Sequence, residues 1–180
     1  MTSVRPGCAT IALICSVAWG SQAVPANNST ELPTYIDRNA ASAITSWLVR
    51  NPDYHVLDDS DCKCNDDLME TRTQTHGVWV GNPEYHPYYV LGDFNGDGRL
   101  DVAIGVGKRG LSGKFSVLII DNYEAQHAPI GGGFLSRPFD IGEALFFGPP
   151  RPKPYSLLVG HFDSEGWEFI PKRGGQYILR

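Results

Sequence analysis

The sequence predicts an α+β fold, an N-terminal helix packed on a mainly antiparallel sheet of short strands that includes one strand–loop–strand hairpin. Three observations predict it. Apolar residues recur at three- and four-residue spacing between Leu32 and Arg50, which is the period of a helix. From Gly77 onward the apolar runs become short and β-branched, as strands do. The chain carries 20 glycines and 13 prolines, which favour turns over long helices. With 180 residues, 42% hydrophobic and 19% charged, the composition suits one globular domain with a core of its own.

The first 23 residues read as a secretory signal. Arg5 gives a basic start, Cys8 to Trp19 is mostly apolar, and Ser21-Gln22-Ala23 offers small residues for cleavage near Ala23. The apolar run is shorter than the ~20 residues that span a bilayer, so no stable membrane insertion is expected. The location expected is therefore secreted or periplasmic. Removing residues 1–23 takes away Arg5 and no acid, making the net charge of -5 one unit more negative. That acidity argues against nucleic acid as a partner. Residues 24–33 read as a flexible N-terminus and 34–180 as a single α+β domain.

In the helical run, Ile36, Ala40, Ile44, Trp47 and Leu48 share one face, and Asn51-Pro52 ends it. At that spacing Trp47 reads as core rather than as a ligand platform. Two cysteines, Cys62 and Cys64 in 61-DCKC-64, remain after signal removal. In an oxidising compartment they can pair as a cross-link, serve in redox exchange, or stay free. Zinc is disfavoured because no second pair has finger-like spacing. The run 58-DDSD-61 reads as a cap-rich turn rather than a second cation site. The segment 65-NDDLMETR-72 reads as a short helix capped by Asn65 or Asp66.

The strands expected are 78-VWV-80, 88-YYVL-91, 102-VAIGV-106, 115-FSVLIID-121, 144-ALFF-147, 155-YSLLVG-160, 167-WEFI-170 and 176-QYIL-179. Gly131–Gly133 and 148-GPPRPKP-154 read as loops. The run 155-YSLLVGHFDSEGWEFI-170 echoes 88-YYVLGDFNGDGRLDVAI-104. Aligning Gly160 with Gly92 puts His161 at the place of Asp93 and Phe169 at that of Asp101. A degenerate repeat and a coincidence both account for it.

The stretch 92-GDFNGDGRLD-101 concentrates acids at alternate positions between two apolar strands. Asp93, Asn95, Asp97 and Asp101 can converge with the backbone carbonyl of Arg99. Such an oxygen-rich shell suits calcium, with its six to eight ligands, better than magnesium or a soft metal. Gly98 permits the sharp turn such a loop needs. The alternative is a solvated Asp/Gly turn without metal. Where an EF-hand places its bidentate Glu the chain has Ile104, and the flanks are strands, so a helix–loop–helix site is excluded.

The pattern D-x-N-x-D-G-x-x-D between apolar strands, with Phe94 after the first Asp, resembles the calcium loop of FG-GAP and VCBS-type repeats. Those repeats form blades of integrin α-subunit propellers and occur in many secreted bacterial proteins. The resemblance spans about residues 88–106 and implies Asp93, Asn95, Asp97 and Asp101 as side-chain ligands, with Arg99 as a carbonyl ligand. A propeller takes at least about four blades, whereas this chain has one clear loop and one echo. A small domain using one such loop is expected.

Catalytic signatures are lacking: no G-x-S-x-G, H-E-x-x-H or G-x-x-x-x-G-K-[ST] phosphate-binding loop occurs. His55, His76, His86, His127 and His161 are scattered. Asp59, Asp61, Asp163, Glu165 and Glu168 offer carboxylates, as any acidic chain does. Trp79, Tyr85, Tyr88 and Tyr89 read either as a stacking surface for a sugar or peptide or as core around the hairpin. The expectation is a calcium-binding module with a structural role or an unidentified protein or carbohydrate ligand, rather than an enzyme. The alternatives are an inhibitor or immunity-type protein against an exported enzyme, acting through loops such as 148–154, and a hydrolase with an unrecognised site.

Overall fold

The computed structural model describes residues 32–74, 81–124, 132–147, 156–162 and 166–180. The expected signal at 1–23, most of the N-terminus at 24–33, the strand 78-VWV-80, Gly131 and the loop 148–154 lie outside them.

Helix α1 spans Arg38–Arg50. Asp37 caps it, its Oδ1 accepting from the amides of Asn39 and Ala40, which satisfies donors that have no partner within the helix. The cap and a turn from Pro33 to Ile36 start the helix at Arg38 rather than at Leu32. Ala40, Ile44, Trp47 and Leu48 are buried along it. Strand β1 (Tyr54–Val56) follows, then a 3-10 turn at Asp59–Asp61 capped by Asp58. Helix α2 spans Asn65–Thr73, with Cys64 at its N-cap in place of the expected Asn65 or Asp66. Cys62 and Cys64 are both buried, with Cα atoms 5.1 Å apart.

Five more strands complete a larger antiparallel sheet: β2 (Tyr89–Gly92), β3 (Asp101–Lys108), β4 (Lys114–Ile120), β5 (Phe134–Leu135) and β6 (Phe139–Asp140). β3 and β4 are its spine, paired from Val102↔Ile120 to Val106↔Ser116. β1 and β2 lie end to end along the other edge of β3. β5 and β6 do the same along the outer edge of β4. A second antiparallel sheet has four strands in the order β10-β9-β8-β7: β7 (Ala144–Phe147), β8 (Leu157–Gly160), β9 (Trp167–Lys172) and β10 (Gln176–Leu179).

Alternation along the spine sorts the core into two. Val102, Ile104, Val106, Leu118 and Ile120 join Ile36, Ala40, Ile44, Trp47 and Leu48 in one cluster. Ala103, Phe115, Val117 and Ile119 join Leu145, Leu157, Val159, Phe169 and Tyr177 in the other. The spine is thus buried on both faces, which is why its strands read as almost unbroken apolar runs.

The expected α+β class is overturned. Among the described residues the molecule is mostly β, with ten strands in two antiparallel sheets and only two short helices. The physical reason lies in the C-terminal strands. Leu145, Leu157, Val159 and Phe169 give their sheet an apolar face of its own, so it stacks face to face on the spine instead of extending one sheet edgewise.

The two echoing hairpins correspond in part. β2 ends at Gly92 and β8 at Gly160, the glycines that the echo aligns. Two residues on, Phe94 meets Phe147 edge-on at 4.9 Å and Phe162 meets Phe146 edge-on at 5.4 Å. The ungapped alignment fails beyond that point. Gly92 pairs with Asp101, but Phe169 pairs with Leu157 and Trp167 with Val159, so the second connection is shorter.

The two sheets approach closely at Gly92, since a Cβ there would lie 2.2 Å from Cε1 of Phe147. We expect Gly92→Ala to destabilise the fold by about 1–3 kcal/mol through overpacking, measured by urea unfolding. Adding Phe147→Leu should return part of that loss. An additive double variant would mean that the clash lies elsewhere.

Candidate metal centre

The hairpin positions the acidic stretch. The pair Gly92↔Asp101 closes its base, leaving residues 93–100 as the loop between β2 and β3. Gly96 and Gly98 take positive φ of 75° and 83°, a region that favours glycine, and so turn the chain back on itself. That curvature aims successive amides at the acids. Asp93 Oδ1 accepts from Gly96 at 2.7 Å and from Asp97 at 3.0 Å, and Oδ2 accepts from Gly98 at 2.8 Å. Asn95 Oδ1 accepts from Asp97 at 2.9 Å, and Asp97 Oδ1 from Arg99 at 2.9 Å. Gly96 to Leu100 are exposed, whereas Phe94 is buried and anchors the loop to the core.

Asp101 differs from the other acids because it is fully buried. Its Oδ2 accepts from the amide of Phe94 at 2.9 Å and its Oδ1 from that of Asn122 at 2.8 Å. One carboxylate therefore ties the start of the loop to the end of β4. Burial pushes its carboxyl up to about 6. The amides of Asn122 and Phe94 pull the other way, and the charges of Asp121 and Asp97 add to the rise.

Among the described residues no three His, Cys, Asp or Glu side chains stand close enough together to hold a metal ion. The acids of the loop instead spread their oxygens over backbone amides. The donor set nevertheless suits a hard cation. It is all oxygen, it carries three negative charges, and an ionised carboxylate has about four lone-pair sites. Asp97 uses one of those sites on an amide and Asp101 two.

Most of the remaining candidates among the described residues make contacts within the fold. Asp59 accepts from Arg72 and lies 3.0 Å from Nδ1 of His86, while Arg72 Nε donates to the carbonyl of Tyr85 at 2.8 Å. Tyr35 stacks on His86 at 3.5 Å. This network joins α2, the 3-10 turn and the chain entering β2. Its partners are far apart in sequence, and no local pattern announces it. Asp61 accepts from the amide of Asp58, and Glu168 pairs with Arg180. Tyr88 is buried, Tyr85 donates its hydroxyl to the carbonyl of Leu145, and the Tyr89 hydroxyl accepts from the amide of Asp37. These three pack within the fold rather than forming an open platform. His55 and His161 are exposed. Trp79, His76, His127, Asp163 and Glu165 lie outside the described residues. Beside the loop runs an open groove of about 670 Å³, lined by Asp93, Asn95, Phe94, Phe147, Phe169 and Ile170 among others.

Comparison with protein families finds that residues 90–118 match the FG-GAP repeat. The match takes in β2 from Val90, the acidic loop, β3 and β4 as far as Leu118. No curated protein and no solved structure matches the chain.

Burial of Asp101 yields a pH dependence. The unfolded chain releases this proton near pH 3.9, and the folded metal-free chain holds it to about 6. The folded state thus binds more protons across that window, so this group's contribution to stability falls as pH rises through it. In metal-free buffer the stability of the protein relative to Asp101→Asn should decline from about pH 4 to about 6, read by urea unfolding at stepped pH. A flat difference across the window would count against a carboxyl whose proton is retained by burial.

Proposed function

We propose that the chain is a secreted or periplasmic calcium-binding module of FG-GAP or VCBS type, with a structural or protein-binding role. One observation carries the reading. The D-x-N-x-D-G-x-x-D pattern from Asp93 to Asp101 occupies a strand–loop–strand hairpin inside the segment that matches the FG-GAP repeat.

The side chains of Asp93, Asn95, Asp97 and Asp101, with the carbonyl of Arg99, would hold the ion. When bound, calcium supplies positive charge to a loop whose acids otherwise repel one another. Asp93 shapes the loop by gathering three amides. Asp101 joins the loop to the buried spine. Ion binding only to the folded loop stabilises the whole domain by mass action, by about 2.7 kcal/mol at a hundredfold excess over Kd.

The apolar N-terminal run supports export with cleavage near Ala23, and an oxidising compartment would allow a disulfide between the buried Cys62 and Cys64. Among the described residues no helix is long and apolar enough to cross a membrane. The β-rich architecture and the FG-GAP match support a binding or structural module over an enzyme. The groove beside the loop offers apolar surface next to the proposed ion, which suits a protein ligand.

The test is thermal unfolding with calcium and with a chelator. Chelation should lower the melting temperature of the protein, and Asp97→Ala should melt at the lower temperature in both conditions. Identical melting curves for all four samples would dispose of the reading.

A further inference from the structure

The turn after β4 touches both the acidic loop and the second sheet. The amide of Asn122 donates to Oδ1 of Asp101 at 2.8 Å. The side chain of the adjacent Asp121 accepts from the hydroxyl of Tyr177, on β10, at 2.6 Å. Tyr177 is buried, and its ring packs on Phe134 at a centroid distance of 5.4 Å. The β9–β10 turn closes over the same carboxylate, because a Cβ on Gly175 would lie 3.0 Å from Oδ2 of Asp121. Asn122 itself takes a positive φ of 50°, which is unusual for a residue other than glycine. A backbone held in that region needs its surroundings to hold it there.

These contacts form a chain of constraint. Asp101 has no solvent to reorient in, so its direction is set by the amides of Phe94 and Asn122. The position of the Asn122 amide depends on the turn, and Tyr177 fixes the turn through Asp121. Resting on the calcium reading above, we infer that Tyr177 and Asp121 are positioning residues for the metal loop. Through them the second sheet, which contributes no proposed ligand, sets how tightly the loop holds a divalent cation. Groups that orient metal ligands without touching the metal typically change affinity by 10–100-fold when removed. A sheet that merely stacked on the spine would affect stability and leave affinity alone.

Tyr177→Phe separates the two roles, since it keeps the ring and the charge and removes only the hydroxyl. Calcium chloride is titrated calorimetrically into the full chain after signal removal. Affinity for calcium should fall by roughly 10–100-fold in Tyr177→Phe, and the Asn122 amide should exchange with solvent faster in the metal-free variant. Phe134→Leu, which loosens the packing of the same ring but spares its hydroxyl, should lower stability and keep the affinity. Tyr177→Phe binding calcium as tightly as the unmodified protein would overturn the inference and leave the calcium reading standing. Equal losses in Tyr177→Phe and Phe134→Leu would overturn it too, because general loosening would then explain both. If the unmodified protein binds no calcium, both readings fall together.

Discussion

A carboxylate without access to water governs the geometry of this molecule. Asp101 begins the longest strand, pairs with Gly92 at the base of the acidic loop, and accepts amides from the loop and from the end of β4. Taking a carboxylate out of water is unfavourable unless its oxygens find partners. The surrounding backbone supplies them, and in doing so the loop, the spine and the following turn become one assembly. A loop of acids and glycines would otherwise have little reason to hold a shape. Here it is closed at one end by a buried group and pinned next to it by Phe94, which sits against Phe147 of the second sheet.

The two sheets serve that assembly differently. The larger sheet carries the loop on its spine, with α1 over one face. The smaller sheet covers the other face and reaches the loop region through Phe147 and through Tyr177, among other contacts. Close approach at Gly92 makes the first contact possible. The acidic hairpin is therefore not an appendage that could be exchanged without consequence. Its neighbours on both sides are shaped to it.

Periodicity revealed most of the elements and little of their arrangement. The helix was legible from its three- and four-residue period, and the spine and C-terminal strands from their short apolar runs. β1, β5 and β6 were not, since each spans only two or three residues and takes its strand geometry from the neighbour it pairs with. The class was misread because a run of short strands looks the same whether it builds one sheet or two. Which face of Leu157 or Phe169 is apolar can be read locally, but what covers that face cannot. The acidic loop was the most legible feature, since its spacing is local and its glycines fall where positive φ is required. The roles of Asp121 and Tyr177, like the network of Asp59, Arg72 and His86, depend on contacts between distant segments and left no trace in spacing.

The end-to-end arrangement of β1 with β2, and of β5 with β6, has a bearing on solubility. The spine strands 102-VAIGV-106 and 115-FSVLII-120 are the segments best suited to pair with another chain, being apolar, β-branched and free of proline. Neither is presented at a border. Each is guarded along its outer side by two brief segments with a break between them, which give a foreign strand only short lengths of open backbone to template on. The larger sheet thereby keeps its stickiest sequence in the middle and offers neighbouring molecules a discontinuous rim.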